Sequence, residues 1–390
     1  MKILLCNKFY YRRGGDCIYT INLEKMLSSH GHRTAVFAMD CAETIENGWR
    51  RYFPSEVNFN GMGAKLRYAR RCLGDREVLE RFNGLLDEFR PDVVHLNNIH
   101  SQLSPIIARA AHKRGIKVIW TLHDYKLLCP RYDCLKRGEA PCEECLAGKS
   151  GVLRHSCMKN SFAASCVAYA EALKWNRMVL EKNTDMFICP SLFMKEMMVK
   201  GGFAESKLTQ LCNSVDVAAC RRVDYTVRGD YYCYVGRLSH EKGIATLLKA
   251  AESLPCKLIV VGGGPLEGSL PVLPNVEYAG YKDWSGIKEI VGGARFSVIP
   301  SEWYENNPLS VIEALCLGTP VLGARIGGIP ELIDEGKSGM CFNSADAVML
   351  KEKIVEMYGK SFDYEAIART AQARFGQEAY YERLIRLYEQ

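Results

Sequence analysis

Long apolar runs are missing from this 390-residue chain. The longest bland stretch, FAASCVAYAEAL (162–173), is too short to span a bilayer and carries a glutamate, so it reads as a packed helix. The N-terminal ILLC run is four residues long behind one nearby lysine, which argues against a secretory leader and makes the cytoplasm the expected compartment. Low-complexity tracts, short repeats and nucleic-acid-binding motifs are absent too. The glycines of VVGGGPLEG, at 262, 263, 264 and 268, do not spell G-x-G-x-x-G, and the strand before them does not open its half of the chain. That argues against a dehydrogenase.

Cysteine, in contrast, is abundant, at seventeen residues. Most sit singly among apolar neighbours, as do Cys189, Cys233 and Cys316, and read as small buried hydrophobes in a reducing compartment. Five fall together: Cys129, Cys134, Cys142, Cys145 and Cys157, with one C-x2-C pair and no second. Packed thiols are the preferred reading and a structural zinc the alternative; no cofactor is expected. Charge is uneven. Residues 1–185 hold 29 Lys and Arg against 20 Asp and Glu, and the remainder holds 22 against 25. A basic first half suggests an anionic partner. Its segment AKLRYARRCLGDR (64–76) offers Lys65, Arg67, Arg70, Arg71 and Arg76 either to a membrane surface and a lipid-linked acceptor or simply to solvent.

Short apolar runs alternate with helical periodicity throughout. KILLC, RTAVFAM, DVVHL, KVIWTLH and DMFICPS read as buried strands of one series, and YYCYVGR, CKLIVVGGG, NVEYAGY, RFSVIPS, PVLGA and GMCF as those of a second. The spacing predicts an α/β chain of two doubly wound domains with a ligand cleft at the carboxyl ends of their strands. The expected boundaries are 1–195 and 196–372, with a C-terminal helix (373–390) returning to the first domain. The aperiodic stretch 213–230 reads as the link, and the last 28 residues read as helical throughout.

In PSEWYENNPLSVIEAL (300–315), Glu305 and Glu313 flank an expected helix start, with Asn307 as N-cap and Pro308 at the first helical position. First-turn amides suit phosphate, whereas carboxylates accept from hydroxyls, so the pair suits a sugar and a ribose on either side of a diphosphate. A loop glutamate plus a helix glutamate of no special role is the plain alternative. YVGRLSHEKG places Arg237 and Lys242 after a strand, where two cations can clamp a diphosphate. Gly14 and Gly15, between the first strand and helix, allow close backbone approach to a ligand. His123 ends a strand beside Asp124 and is either structural or part of the site.

The runs GRLSHEKG, VGGGP and PSEWYENNPLSVIEALCLGTPVLGARIGGIPELI closely resemble glycosyltransferase family 4, the retaining enzymes of GT-B fold. PDVVHLNNIHSQLSP and GIKVIWTLHDYKLLCP look like the acceptor-side half, so the resemblance spans nearly the whole chain. It implies transfer of a sugar from a nucleoside-diphosphate sugar to a glycan or lipid-linked acceptor, without a metal or a covalent nucleophile. Two Rossmann-like domains would face a central cleft. The implied setting is bacterial capsule, lipopolysaccharide or exopolysaccharide assembly in the cytoplasm, at the inner membrane face. By resemblance Glu305 meets the sugar hydroxyls, Glu313 the ribose, and Arg237 and Lys242 the diphosphate. Gly14, Gly15, Gly263, Pro308, Leu309 and Ser310 close around the donor, His123 sits beside the transferred sugar, and Tyr281 lies near the base. The family's Phe-Gly after the first glutamate is Asn307-Pro308 here, so the amide donors fall to Leu309 and Ser310. A nucleotide-sugar epimerase of this fold, or a non-catalytic sugar-nucleotide-binding subunit, is the alternative.

Overall fold

The computed structural model of the protein describes residues 1–57, 62–221 and 224–390. It divides into two compact units: Met1–Arg137 with Cys142–Leu211 and Tyr381–Gln390, and Cys212–Tyr380 with Gly138–Pro141.

In the first unit the apolar runs become β1 (Lys2–Cys6), β2 (Arg33–Phe37), β3 (Val93–Leu96), β4 (Lys117–Thr121), β5 (Met186–Cys189) and β6 (Leu208–Gln210). Their order in the sheet is β2-β1-β3-β4-β5-β6, all parallel. Near-continuous burial of β1, β3, β4 and β5 is why they read as unbroken apolar runs rather than as alternation. In the second unit β7 (Tyr231–Val235), β8 (Lys257–Val261), β9 (Val276–Gly280), β10 (Ser297–Ile299), β11 (Val321–Ala324) and β12 (Gly339–Phe342) pair in the order β9-β8-β7-β10-β11-β12, again all parallel. Both units are Rossmann-like, as the resemblance implies. Each sheet has a point where strand order reverses, between β1 and β3 and between β7 and β10. Ligands of such sheets bind there, beyond the carboxyl ends of the strands.

Three expectations about boundaries are corrected. The boundary lies after Leu211 rather than after 195, because β6 pairs with β5 and completes the first sheet. In sequence β6 is three residues, two of them polar, too little for a strand signal. Residues 222 and 223 of the expected link lie outside the described residues. The C-terminal tract is two helices, Tyr364–Phe375 and Gln377–Glu389, broken at an extended Gly376 (ψ 150) that bridges to Val215. The segment returning to the first unit therefore begins at Tyr381, not 373, and there Tyr381 Oη meets His32 Nε2 at 2.8 Å.

The helix Phe162–Lys174, expected as a packed helix, buries Ser165, Ala168 and Glu171 and exposes Phe162 and Leu173, so it packs through its small residues and its glutamate rather than through its largest apolar side chains. Glu171 is buried because Lys126 Nζ stands 2.9 Å from Oε2 and Ser101 Oγ donates to Oε1. Within 64–76 the five cations are not equivalent. Arg71 is fully buried against Glu77 (2.7 Å) and the Ser55 carbonyl, Arg70 pairs with Asp75 and Arg76 with Glu80. Lys65, Leu66 and Arg67 remain on the surface. Among the described residues no helix is long and apolar enough to cross a membrane.

Candidate active site

The second unit builds its site from the loops after β7 and β10. Lys242 closes a short 3-10 turn, His240–Lys242, that the left-handed Gly243 (φ 69) terminates. A Cβ on Gly243 would stand 1.9 Å from the Pro300 carbonyl oxygen, so only glycine lets the two loops meet this closely. Glu302 N–H then donates to the Glu241 carbonyl at 2.9 Å, fixing one loop to the other. The result is a contact between side chains far apart in sequence: Lys242 Nζ donates to Glu305 Oε1 at 2.6 Å. Ser301 Oγ donates to the same oxygen at 2.8 Å, and the Lys242 ammonium lies 5.0 Å from the Trp303 ring centroid. Burial alone would push the Glu305 carboxyl up, but the Lys242 charge and these hydrogen bonds outweigh it and hold the group below the usual glutamate range. Glu305, 6% exposed, is therefore an ionised acceptor with Lys242 as its counter-charge.

A second latch holds the Glu305 backbone. Gly328 N–H donates to its carbonyl at 2.7 Å, and Gly327 (φ 57) packs so closely that a Cβ would stand 2.2 Å from that oxygen. Sequence reasoning assigned nothing to Ser301, Trp303, Gly327 or Gly328. The paired glycines of ARIGGIPE were the visible signal for the latch.

The helix after this loop runs Leu309–Cys316, with the extended Pro308 (φ −67, ψ 121) at its boundary and no side-chain cap. Asn307 is thus not the N-cap expected. Its side chain is engaged by Asn213 instead, because Pro308 takes the boundary position itself. Leu309 and Ser310 supply the first-turn N–H groups, which have no partner within the helix. Glu313, half-buried one turn on, has no hydrogen-bond partner among the described residues, and burial pushes its carboxyl up to about 7. Arg237 follows β7 with its guanidinium exposed, while its carbonyl accepts from Tyr234 Oη at 2.8 Å. The Gly263 carbonyl accepts from Leu238 N–H at 3.0 Å. Tyr281 is 84% exposed just past β9. Of the expected donor residues, then, Lys242 and Glu305 are in direct contact, and Arg237, Gly263, Tyr281, Pro308, Leu309, Ser310 and Glu313 share their unit.

The remaining three belong to the first unit. Gly14 precedes the helix Gly15–Ser29 in extended conformation, and nothing lies within 4 Å of where a Gly15 Cβ would be. Asp16 in the first turn makes this a less welcoming end for an anion than the start of the helix Leu309–Cys316, where no acidic residue stands. His123 follows β4; its Nε2 lies 2.9 Å from Asn97 Oδ1 and its ring meets Tyr19 edge-on at 4.7 Å. Burial pushes the imidazole down to about 4, opposed by the Asp16 carboxylate, so it is neutral at pH 7. Asn97, not singled out in the sequence, is held by Trp120 Nε1 donating to its carbonyl at 2.9 Å. Burial raises the neighbouring Asp124 carboxyl to about 6. In the cysteine-rich loop the Cys129 thiol is drawn down by hydrogen bonds to Cys134 and Cys145, whose own thiols are pushed up. Among the described residues no group of three or more His, Cys, Asp or Glu is arranged to hold a metal ion.

Comparison with known proteins matches residues 13–219 to the model of glycosyltransferase family 4 and residues 227–378 to that of glycosyl transferases group 1. An uncharacterised 42.6 kDa protein in the cps region of Klebsiella pneumoniae is 26% identical over 354 residues, 85% of this chain and 87% of that one. The putative colanic acid biosynthesis glycosyltransferase WcaL of Salmonella typhimurium is 27% identical over 162 residues, 37% of this chain and 40% of its own. Among solved structures, Anabaena Alr3699/HepE in complex with UDP superposes with a TM-score of 0.69 over 100% of both chains at 16% identity, a likeness of fold.

Proposed function

As a member of glycosyltransferase family 4 the chain is a glycosyltransferase, and we propose that it moves a hexose from a nucleoside-diphosphate sugar, with retention, to a glycan or lipid-linked acceptor in bacterial surface-polysaccharide assembly. The Lys242–Glu305 contact carries this reading. It sets a cation beside an ionised acceptor at the strand-order switch point, just before a helix start whose Leu309 and Ser310 N–H groups have no partner within the helix. The setting is supported by the relative in a Klebsiella cps region, and the donor class by the UDP and UDP-glucose named for the Anabaena structures.

In this mechanism Arg237, Lys242 and the N–H groups of Leu309 and Ser310 receive the negative charge that grows on the departing diphosphate. Glu305 orients the sugar hydroxyls and Glu313 the ribose. The departing phosphate takes the acceptor proton, so no covalent nucleophile is assigned. These cations do the work of a divalent ion, and chelators should leave transfer unchanged. Gly14, Gly15, Gly263 and Tyr281 complete donor binding, His123 faces the sugar as a neutral imidazole, and the five clustered cysteines serve as packed thiols. Lys65, Leu66 and Arg67 offer a contact to anionic lipid at the inner membrane face.

The test is a thermal-shift screen of nucleotide sugars, since a donor at 100 times its Kd adds about 2.7 kcal/mol. NMR of the product's anomeric configuration then follows. No stabilisation by any donor, or an inverted product, would remove the reading.

A further inference from the structure

Proline has no N–H, so a helix that opens at Pro308 presents one backbone donor fewer than it would with any other residue there. The residue before it, Asn307, is 5% exposed. Its amide orientation is set by its partner. Asn213 N–H donates to Asn307 Oδ1 at 2.9 Å, and Asn213 Nδ2 donates to the Asn307 carbonyl, also at 2.9 Å. A donor must meet the oxygen, so Asn307 Nδ2 is turned away from Asn213. There it is buried and, among the described residues, meets no acceptor. Buried N–H groups left unpaired are costly, and this one stands at a helix start with no side-chain cap and no acidic residue in its first turn.

We propose that Asn307 Nδ2 donates a hydrogen bond to a phosphate oxygen of the bound nucleoside diphosphate, replacing the amide that Pro308 lacks and standing beside the N–H groups of Leu309 and Ser310. The inference rests on the donor class proposed above. Its physical basis is that a neutral amide aimed at an anionic oxygen makes a charge-assisted bond, and that the helix start adds its own positive potential. Asn213 acts as the positioning residue: its two bonds fix the Asn307 amide plane before the ligand arrives.

Two substitutions separate this role from a purely structural one. Asn307→Asp keeps the oxygen that Asn213 N–H uses and turns the N–H2 into an anionic oxygen facing the phosphate. Asn307→Ala removes both functions. Calorimetric titration of the wild type and both variants with UDP, ADP, GDP and dTDP, with melting temperatures recorded, reads the difference. For the diphosphate that the wild type binds tightest, Asn307→Asp should bind at least tenfold more weakly, and more weakly than Asn307→Ala, while melting like the wild type. A role confined to bracing Asn213 gives the opposite order, because Asp keeps the brace and Ala loses it. Affinity of Asn307→Asp equal to wild type, or Ala weaker than Asp, overturns the proposal while leaving the donor class standing. Should Asn307→Ala not fold, the comparison of Asp with wild type decides alone. Wild-type protein that binds none of the four diphosphates removes the donor class and this inference together.

Discussion

Lys242 and Glu305, 63 residues apart in sequence, meet through a 2.6 Å contact between Nζ and Oε1. Ser301 and Trp303 flank the pair, and two glycine-dependent backbone contacts, at Gly243 and Gly327, hold the loops that carry it. The lysine keeps Glu305 ionised in a buried place. Under the proposed function it also adds positive charge where the diphosphate departs.

Lys242→Ala should slow transfer and also destabilise the second unit, because Glu305 is left buried without its counter-charge. Breaking a well-buried pair costs about 3–5 kcal/mol, and the partial exposure of Lys242 reduces that to about 1–3 kcal/mol. Pairing Lys242→Met with Glu305→Gln should restore most of the stability and none of the activity. Arg237→Ala, on the surface, should slow transfer with the fold intact. Urea melts and initial rates check all three. Wild-type rates in both Lys242→Ala and Arg237→Ala would sink the clamp.

The two glutamates should fail differently. Glu305→Gln loses the charged acceptor for sugar hydroxyls, so transfer should fall far more than affinity for the free nucleoside diphosphate. Glu313→Gln should weaken that nucleotide too, since its ribose is present with or without the sugar. A hydrogen bond to a charged group contributes about 1.5–3 kcal/mol, a tenfold effect or more. Calorimetry beside initial rates separates the two, and equal loss of nucleotide affinity in both variants would refute the division.

Glu313 also makes stability depend on pH. Its carboxyl titrates near 7 in the folded protein, above its unfolded value, so the folded state binds the extra proton. Stability should fall as pH rises from about 4.5 to 7, by at most about 3 kcal/mol. Glu313→Gln cannot ionise and should therefore gain over wild type at pH 8 and match it at pH 4. Melting curves across this range test it; a constant difference would show that Glu313 ionises normally.

Gly327→Ala should act on Glu305 alone. Its Cβ would collide with the Glu305 carbonyl, and the left-handed backbone there disfavours any side chain. Transfer should drop at least tenfold while affinity for free nucleotide, which the proposed function assigns to groups other than the Glu305 carboxylate, stays near wild type. Wild-type transfer would mean that the latch yields without moving the carboxylate.

Membrane contact through Lys65, Leu66 and Arg67 should appear in vesicle sedimentation as binding that rises with anionic lipid and falls with salt, since surface charge is screened over about 10 Å at 0.1 M. Lys65→Glu with Arg67→Glu should abolish it. Arg71→Glu is unsuitable because that residue lies in the core. Binding indifferent to lipid charge and salt would refute the contact.

Strand identity was determined by the sequence itself, because strands buried on both faces of a parallel sheet are continuous apolar runs: eleven of the twelve strands described above lie in runs read in advance. The family, too, was legible, since its signature joins glycine, cation and carboxylate spacings inside single loops. Other features depended on contacts between distant segments, which no local pattern encodes. Arg71 looked like one more surface cation until Glu77 and the Ser55 carbonyl closed around it. Gly376 lay inside a tract that read as helical throughout, whereas its bridge to Val215 ends the helix. Asn307 had the chemistry of an N-cap, but Asn213, 94 positions away, took up its oxygen and left Pro308 at the boundary. Residue types set what each group can do; only the tertiary structure decided which partner it meets, because hydrogen bonds and ion pairs form over a few ångströms whatever the separation along the chain.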